Sequence, residues 1–211
     1  MKNLKQQENS LQSVWRETQP LETEDKAEHP NNHLTAKGGL KVVEDDLKGD
    51  FFMQKYSKKR YYIAYGSNLN TMQMRWRCPG AMVMGTAELK DWRLVFKGSK
   101  TGSYLTIEPA KGYTVPVAVW EVTEADEASL DRYEGYPTFY YKKELEIEYK
   151  GITSGRKRKR EAFVYIMHED RPYGVSAKQY LETCAFGYDV FRFDMDILRE
   201  AYRYSKELSG R

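Results

Sequence analysis

The sequence predicts an α+β fold: a small mixed, mostly antiparallel β-barrel with flanking helices. Three observations lead there. Strand-like runs outnumber helical ones, and several are separated by connections of hairpin length. One run, Val115 to Val122, is apolar on both faces, with Val115, Val117 and Val119 on one and Ala118, Trp120 and Val122 on the other. A strand covered from both sides has that texture.

Residues 1–59 are a polar leader, with long charged stretches and scattered apolar anchors, punctuated by Pro20, Pro30, Gly38 and Gly39. No helical or strand period persists there, so the leader is read as largely disordered, with a short helix near Ser13–Thr18. Phe51-Phe52-Met53 is a candidate point for docking the leader on the domain. The domain proper is placed at residues 60–208. Tyr61 to Tyr65 reads as a strand and Leu69 to Arg77 as a helix stopped by Pro79-Gly80. Thr86–Lys97, Tyr104–Ile107 and Val115–Val122 read as three strands.

Thr123 is an N-cap with Asp126 at capping-box spacing, opening a helix that packs Ala128, Leu130 and Tyr133. Tyr140 to Tyr149 alternates: Tyr141, Leu145, Ile147 and Tyr149 on one face, Glu144, Glu146 and Glu148 on the other. Gly151–Arg160 is expected to be a polar hairpin tip and Ala162–Met167 the return strand. Two helices, Ala177–Ala185 and Asp194–Lys206, complete the pattern.

Composition narrows the function. The chain has 211 residues, 34 Lys and Arg against 31 Asp and Glu, and a mean hydropathy of −0.78. Charge so near balance does not point to nucleic acid or an anionic membrane as partner. No apolar stretch approaches the ~20 residues of a membrane span. The first twenty residues carry no apolar core of a secretory signal, so a cytoplasmic location is expected. Two cysteines make no disulfide framework and are read as reduced thiols. No His, Cys and carboxylate spacing suggests a metal site. The run Arg156 to Arg160 is read as a solvated loop rather than a nucleic-acid contact.

Two motifs can carry chemistry. Tyr65-Gly66-Ser67-Asn68 lies between a strand and a helix. Glycine permits a sharp turn, and the unpaired N–H groups of such a turn can hold a carboxylate or an oxyanion. The second motif is Leu130-Asp131-Arg132-Tyr133-Glu134-Gly135-Tyr136-Pro137. A helix runs out at Gly135, leaving Glu134 as its last side chain. A carboxylate beside Tyr133, Tyr136 and Phe139 is partly desolvated, which raises its pKa toward that of a working base. Alone, each motif also suits an ordinary helix end.

Together, in this order, they resemble the gamma-glutamylcyclotransferase-like family. The resemblance runs from about Arg60 to Leu208. It includes Tyr65-Gly66-Ser67-Asn68, Gly85 with Leu89, Trp92, Leu94 and Phe96, the Leu130-Asp131 and Glu134-Gly135-Tyr136-Pro137 run, and Gly187-Tyr188, Phe193-Asp194 and Leu198. It implies the mixed barrel and a cofactor-free reaction on a small-molecule gamma-glutamyl substrate, in which the α-amine attacks its own side-chain amide, closing 5-oxoproline and releasing an amine. Glu134 matches the family's acid/base. Gly66, Ser67 and Asn68 would hold the α-carboxylate or the oxyanion; Tyr65 and one of Tyr140 and Tyr141 would meet the substrate's polar groups. Alternation favours Tyr141, and a nearby bulge would favour Tyr140. A binding module with the same pocket and no turnover is the alternative. The leaving amine and the oligomeric state stay open.

Overall fold

The computed structural model describes residues 59–99 and 102–210. The polar leader, its short helix and Phe51-Phe52-Met53 lie outside the described residues. Five strands form a closed barrel in the order β1–β3–β2–β4–β5. They are β1 (Arg60–Ala64), β2 (Met82–Ser99), β3 (Gly102–Val122), β4 (Tyr140–Gly151) and β5 (Lys157–Met167). β1 pairs with β5 in parallel, and the other pairs are antiparallel. Four α-helices flank the barrel: α1 (Thr71–Arg77), α2 (Glu124–Glu134), α3 (Lys178–Val190) and α4 (Met195–Leu208). Among the described residues no helix is long and apolar enough to cross a membrane.

The interior is built as the doubly apolar strand requires. Val115, Val117, Val119, Ile63, Phe96 and Phe163 are fully buried. The closure between β2 and β4 is short, with Gly85 opposite Gly151 and Thr86 opposite Lys150. Gly85 makes it possible, because a Cβ there would lie 2.2 Å from the Lys150 carbonyl oxygen. α4 is fastened outside by Ser205, whose buried hydroxyl accepts the Phe96 N–H at 2.7 Å.

Three expectations are corrected. Tyr104–Ile107 and Val115–Val122 belong to one strand, β3, rather than two. The intervening residues form a bulge opposite Asp91, which adopts φ 62° and accepts the Gly112 N–H at 2.9 Å. That bond holds the extra residues as an irregularity in one ladder, with Trp92 opposite Pro109 beyond it.

The helix expected from Leu69 is split. Ser67–Leu69 is a 3-10 turn, and Asn70 then caps α1 by accepting the N–H groups of Met72 and Gln73, each at 3.1 Å. The basic run is no hairpin tip either, since β5 begins at Lys157 and continues through it. Lys157 pairs with Glu148 at 2.9 Å and Lys159 with Glu146 at 3.0 Å. The acidic face of β4 thus neutralises part of the run across the ladder.

α2 has the predicted start and stop. Thr123 and Asp126 form the capping box, and Gly135 ends the helix at φ 64°, ψ 34°. Asp126 does more than cap. Its buried carboxylate accepts from the Thr123 N–H at 3.0 Å, the Thr123 hydroxyl at 2.7 Å and the Gly80 N–H at 3.1 Å. Asp126→Ala strands all three donors and is expected to cost about 1–3 kcal/mol in urea unfolding. A loss within error of zero would show that water replaces the carboxylate without cost.

Candidate active site

The barrel brings the two sequence motifs together at one end. β1 delivers Tyr65 to Asn68 into the 3-10 turn, and α2 delivers Glu134. The turn's own hydrogen bonds begin with the Leu69 N–H to the Gly66 carbonyl at 2.9 Å and the Asn70 N–H to Ser67 at 3.0 Å. The N–H groups of Gly66, Ser67 and Asn68 precede that ladder, as at the start of any helix. α3 backs the turn closely: a Cβ on Gly66 would stand 3.3 Å from the Tyr180 hydroxyl.

Asn68 is the joint between the motifs. Its buried amide nitrogen donates to Glu134 Oε1 at 2.7 Å and to the Tyr62 hydroxyl at 2.8 Å. Its oxygen accepts from Arg77 at the end of α1. Ser67 Oγ meets the Tyr133 hydroxyl at 3.2 Å, and the Arg77 guanidinium stands 3.3 Å from the Tyr133 ring centroid. Burial pushes the Glu134 carboxyl up to about 7, against the opposing pull of the Arg77 charge and the Asn68 hydrogen bond.

α2 is tied to the barrel strands by charges. Glu127 pairs with Arg60 and with Lys142, both at 2.6 Å. Asp131 pairs with Lys142 at 2.7 Å and accepts the Tyr165 hydroxyl at 2.6 Å. Lys142 lies over the Tyr136 ring at 4.7 Å. These groups fix the helix whose last side chain is Glu134.

The cavity has two parts. A chamber of about 360 Å³ is lined by Ser67, Tyr104, Arg132, Tyr133, Glu134 and Gly135, with Phe139, Tyr140 and Tyr180. A narrower recess of about 20 Å³ lies along Tyr62, Tyr65, Gly66, Asn68, Leu105 and Tyr165. Ser67, Glu134, Tyr140 and Tyr180 border both. Tyr65 donates to the Tyr165 carbonyl at 2.6 Å and Tyr140 to the Leu105 carbonyl at 2.9 Å. Their protons are thereby engaged, and burial raises both phenols far above their usual range. Each phenol oxygen keeps acceptor capacity.

Tyr141 is not part of this cavity. Its hydroxyl donates outward to Glu169 at 2.7 Å, and its ring lies 5.4 Å from His168. The β4–β5 ladder runs without a register shift from Tyr140 to Lys150, so no bulge causes the exchange. The inward face changes along the ribbon: Ile147 and Tyr149 are buried distally and Tyr140 proximally. Strand twist has this effect in a tightly coiled barrel.

A family model described as "Gamma-glutamyl cyclotransferase, AIG2-like" matches residues 62–182, from β1 into α3. The chain belongs to this gamma-glutamyl cyclotransferase family. Bovine gamma-glutamylcyclotransferase is 37% identical over 87 residues, 38% of this chain and 46% of that protein. The human gamma-glutamylcyclotransferase is 33% identical over 119 residues, 53% of this chain and 62% of that protein. The chain thus spans between about half and three-fifths of these relatives. A solved "Gamma-glutamyl cyclotransferase" shares the fold at TM-score 0.59 and 24% identity, covering 68% of this chain and 86% of that one.

Both sequence motifs, Tyr65 to Asn68 and Glu134-Gly135, lie within the matched region. Sequence reasoning passed over Tyr62, Arg77, Tyr104, Arg132 and Tyr180. Arg132 lies within the Leu130–Pro137 motif without a role of its own there, and the other four sit in no local signal. Tyr62 reads as strand core, Arg77 as a favourable charge at a helix end, and Tyr180 as helix packing. Only the closed barrel shows that Tyr62, Tyr104, Arg132 and Tyr180 share the cavity and that Arg77 backs it through Asn68. Among the described residues no cluster of three or more His, Cys, Asp or Glu could hold a metal ion. Cys78 and Cys184 are buried free thiols, both pushed above their usual range by burial.

Proposed function

We propose that this protein is a cyclotransferase that converts a gamma-glutamyl amide to 5-oxoproline and a free amine. One observation carries the reading: the Glu134 carboxylate, pushed up to about 7 by burial, stands in hydrogen-bond contact with Asn68 of the turn that presents Gly66, Ser67 and Asn68. A glutamate at its reference pKa of ~4.3 is a poor base for an α-ammonium, and one tuned toward neutrality is a better one.

Glu134 takes a proton from the substrate ammonium. The freed amine nitrogen attacks the side-chain amide carbonyl, the new C–N bond closes a five-membered ring, and the old C–N bond breaks. The ring nitrogen sheds a second proton as the lactam forms, and the departing amine takes up both protons by way of Glu134 and leaves as an ammonium, so the reaction balances without water or cofactor. The N–H groups of the turn receive the α-carboxylate or the oxyanion. Tyr65 and Tyr140, with their protons engaged by main-chain carbonyls, present lone pairs suited to the ammonium. Holding the substrate folded supplies much of the rate, because the attack is intramolecular.

The test is 5-oxoproline release by the full chain from a panel of gamma-glutamyl compounds with amino-acid, amine and peptide leaving groups. Tight binding across the panel without product would favour a binding module. Arg132 and Glu134 are the charged residues lining the larger chamber. A leaving amine that carries a carboxylate suits Arg132. Arg132→Ala is expected to raise KM about three- to tenfold for such substrates, with kcat little changed, as an exposed charge contact would. Equal effects on neutral and anionic leaving groups would remove Arg132 from the recognition.

A further inference from the structure

A primary amide is nearly symmetric in shape, so the cavity alone does not decide which way Asn68 faces. Its partners decide. Glu134 is an acceptor while ionised, and Arg77 only donates. With Oδ1 on the guanidinium, Nδ2 faces the carboxylate. Turned over, the amide would set oxygen against carboxylate and NH₂ against guanidinium, two repulsive contacts in place of two attractive ones.

Arg77 is itself restrained. It donates to Gln73 Oε1 at 3.3 Å, one turn back on α1, and its guanidinium lies over Tyr133. Tyr133 returns to the turn through Ser67. Ser67, Asn68, Arg77, Tyr133 and Glu134 therefore form a closed circuit across three elements: the turn, α1 and α2.

We propose that Arg77 is a positioning residue for the reaction: it locks the Asn68 amide with its NH₂ toward Glu134 and ties α2 to the turn through the Tyr133 ring. The inference rests on Glu134 as the base. The groups facing Glu134 are Arg77 and Cys78 from the α1 end, Tyr62 and Tyr65 from β1 and its exit, Tyr140 from β4, Tyr165 from β5, Tyr180 from α3 and Arg132 on its own helix. Burial holds the five phenols and the thiol above the range in which Glu134 titrates. Arg77 remains as the charge that opposes burial at the carboxyl.

The experiment uses the full chain with ¹³C-labelled glutamate carboxyls, Glu134 being assigned by its loss in Glu134→Gln. The Glu134 titration is followed without substrate in the natural protein, Arg77→Met and Arg77→Lys. In Arg77→Met the midpoint is expected to rise by about one pH unit or more, as removal of a nearby opposite charge does. The acid limb of kcat/KM should rise with it, and kcat should fall about 10- to 100-fold with KM nearly unchanged. Arg77→Lys keeps the charge and should return the midpoint most of the way while recovering part of kcat.

A folded Arg77→Met with an unmoved midpoint overturns the proposal and reduces Arg77 to a packing residue. If Arg77→Met does not fold, the same criterion applies to Arg77→Gln, which keeps polar cover over Asn68. The titration needs no turnover. Failure to release 5-oxoproline from any substrate would therefore overturn the proposed function and leave the positioning claim to be judged separately.

Discussion

Glu134→Gln is expected to lose about 10²–10⁴-fold in kcat, the usual reach of a single acid/base group. The change keeps shape and an oxygen for Asn68, so KM should move little. Stability should behave oppositely. A carboxyl whose folded pKa is raised from 4.5 to about 7 binds its proton more tightly in the folded state. Its ionisation therefore weakens folding as pH rises from the unfolded value through about 7, and the penalty is complete above that. The size is on the order of 3 kcal/mol at most, before screening by the open cavity. Removing the ionisable group relieves it. Thermal melts of Glu134→Gln at pH 8 should therefore match or exceed the natural protein, and the advantage should vanish near pH 4. Near-full activity in this variant would end the assignment of Glu134 as base, whatever its stability.

Gly187→Ala is expected to destabilise the domain and to impair the cavity, against the ordinary trend. Alanine within a helix is favoured over glycine by about 1 kcal/mol. Here a Cβ would stand 2.4 Å from Leu69 Cβ, 2.7 Å from the Leu69 carbonyl carbon and 3.0 Å from the Asn70 nitrogen. None of these is the free end of a flexible side chain. Either α3 backs away or the turn moves, at an overpacking cost of about 1–3 kcal/mol. Leu69 is bonded directly to Asn68, so a shift of the turn carries the amide off Glu134. The expected result is a lower melting temperature and a fall of about tenfold or more in kcat. A higher melting temperature with unchanged kcat would show that α3 slides without cost.

These two residues mark what was legible in the chain. Glu134 and the Tyr65–Asn68 turn can be read because helix stops, caps and strand-to-turn junctions are local and use few residue types. The capping box at Thr123 and Asp126 is legible for the same reason, and the mixed barrel is legible in the doubly apolar Val115–Val122 run. Asn68 is recognisable as part of a motif, yet its orientation depends on Arg77 nine positions on, a partner that α1 merely happens to point back.

Alternation favours Tyr141, yet Tyr140 lines the cavity, because the buried face changes along a twisted ribbon. The bulge at Asp91 hid the continuity of β3, since a left-handed aspartate has no signature as strong as glycine's. The charged run at Arg156–Arg160 looked like loop because the acidic row that balances it lies on another strand.

The parallel pairing of β1 with β5 governs when the cavity can exist during folding. Tyr65 meets its Tyr165 partner across 100 residues of sequence, whereas β2 and β3 are consecutive and pair from Ser99 and Gly102 onward. Local ribbons of this kind form before distant strands meet. A nascent chain that has emerged only as far as α2 already contains Tyr65 to Asn68 and Glu134, but it lacks Tyr140, Tyr165 and Tyr180, which complete the lining of the cavity. The cavity is therefore complete only once β5 has closed the seam and α3 has packed against the turn.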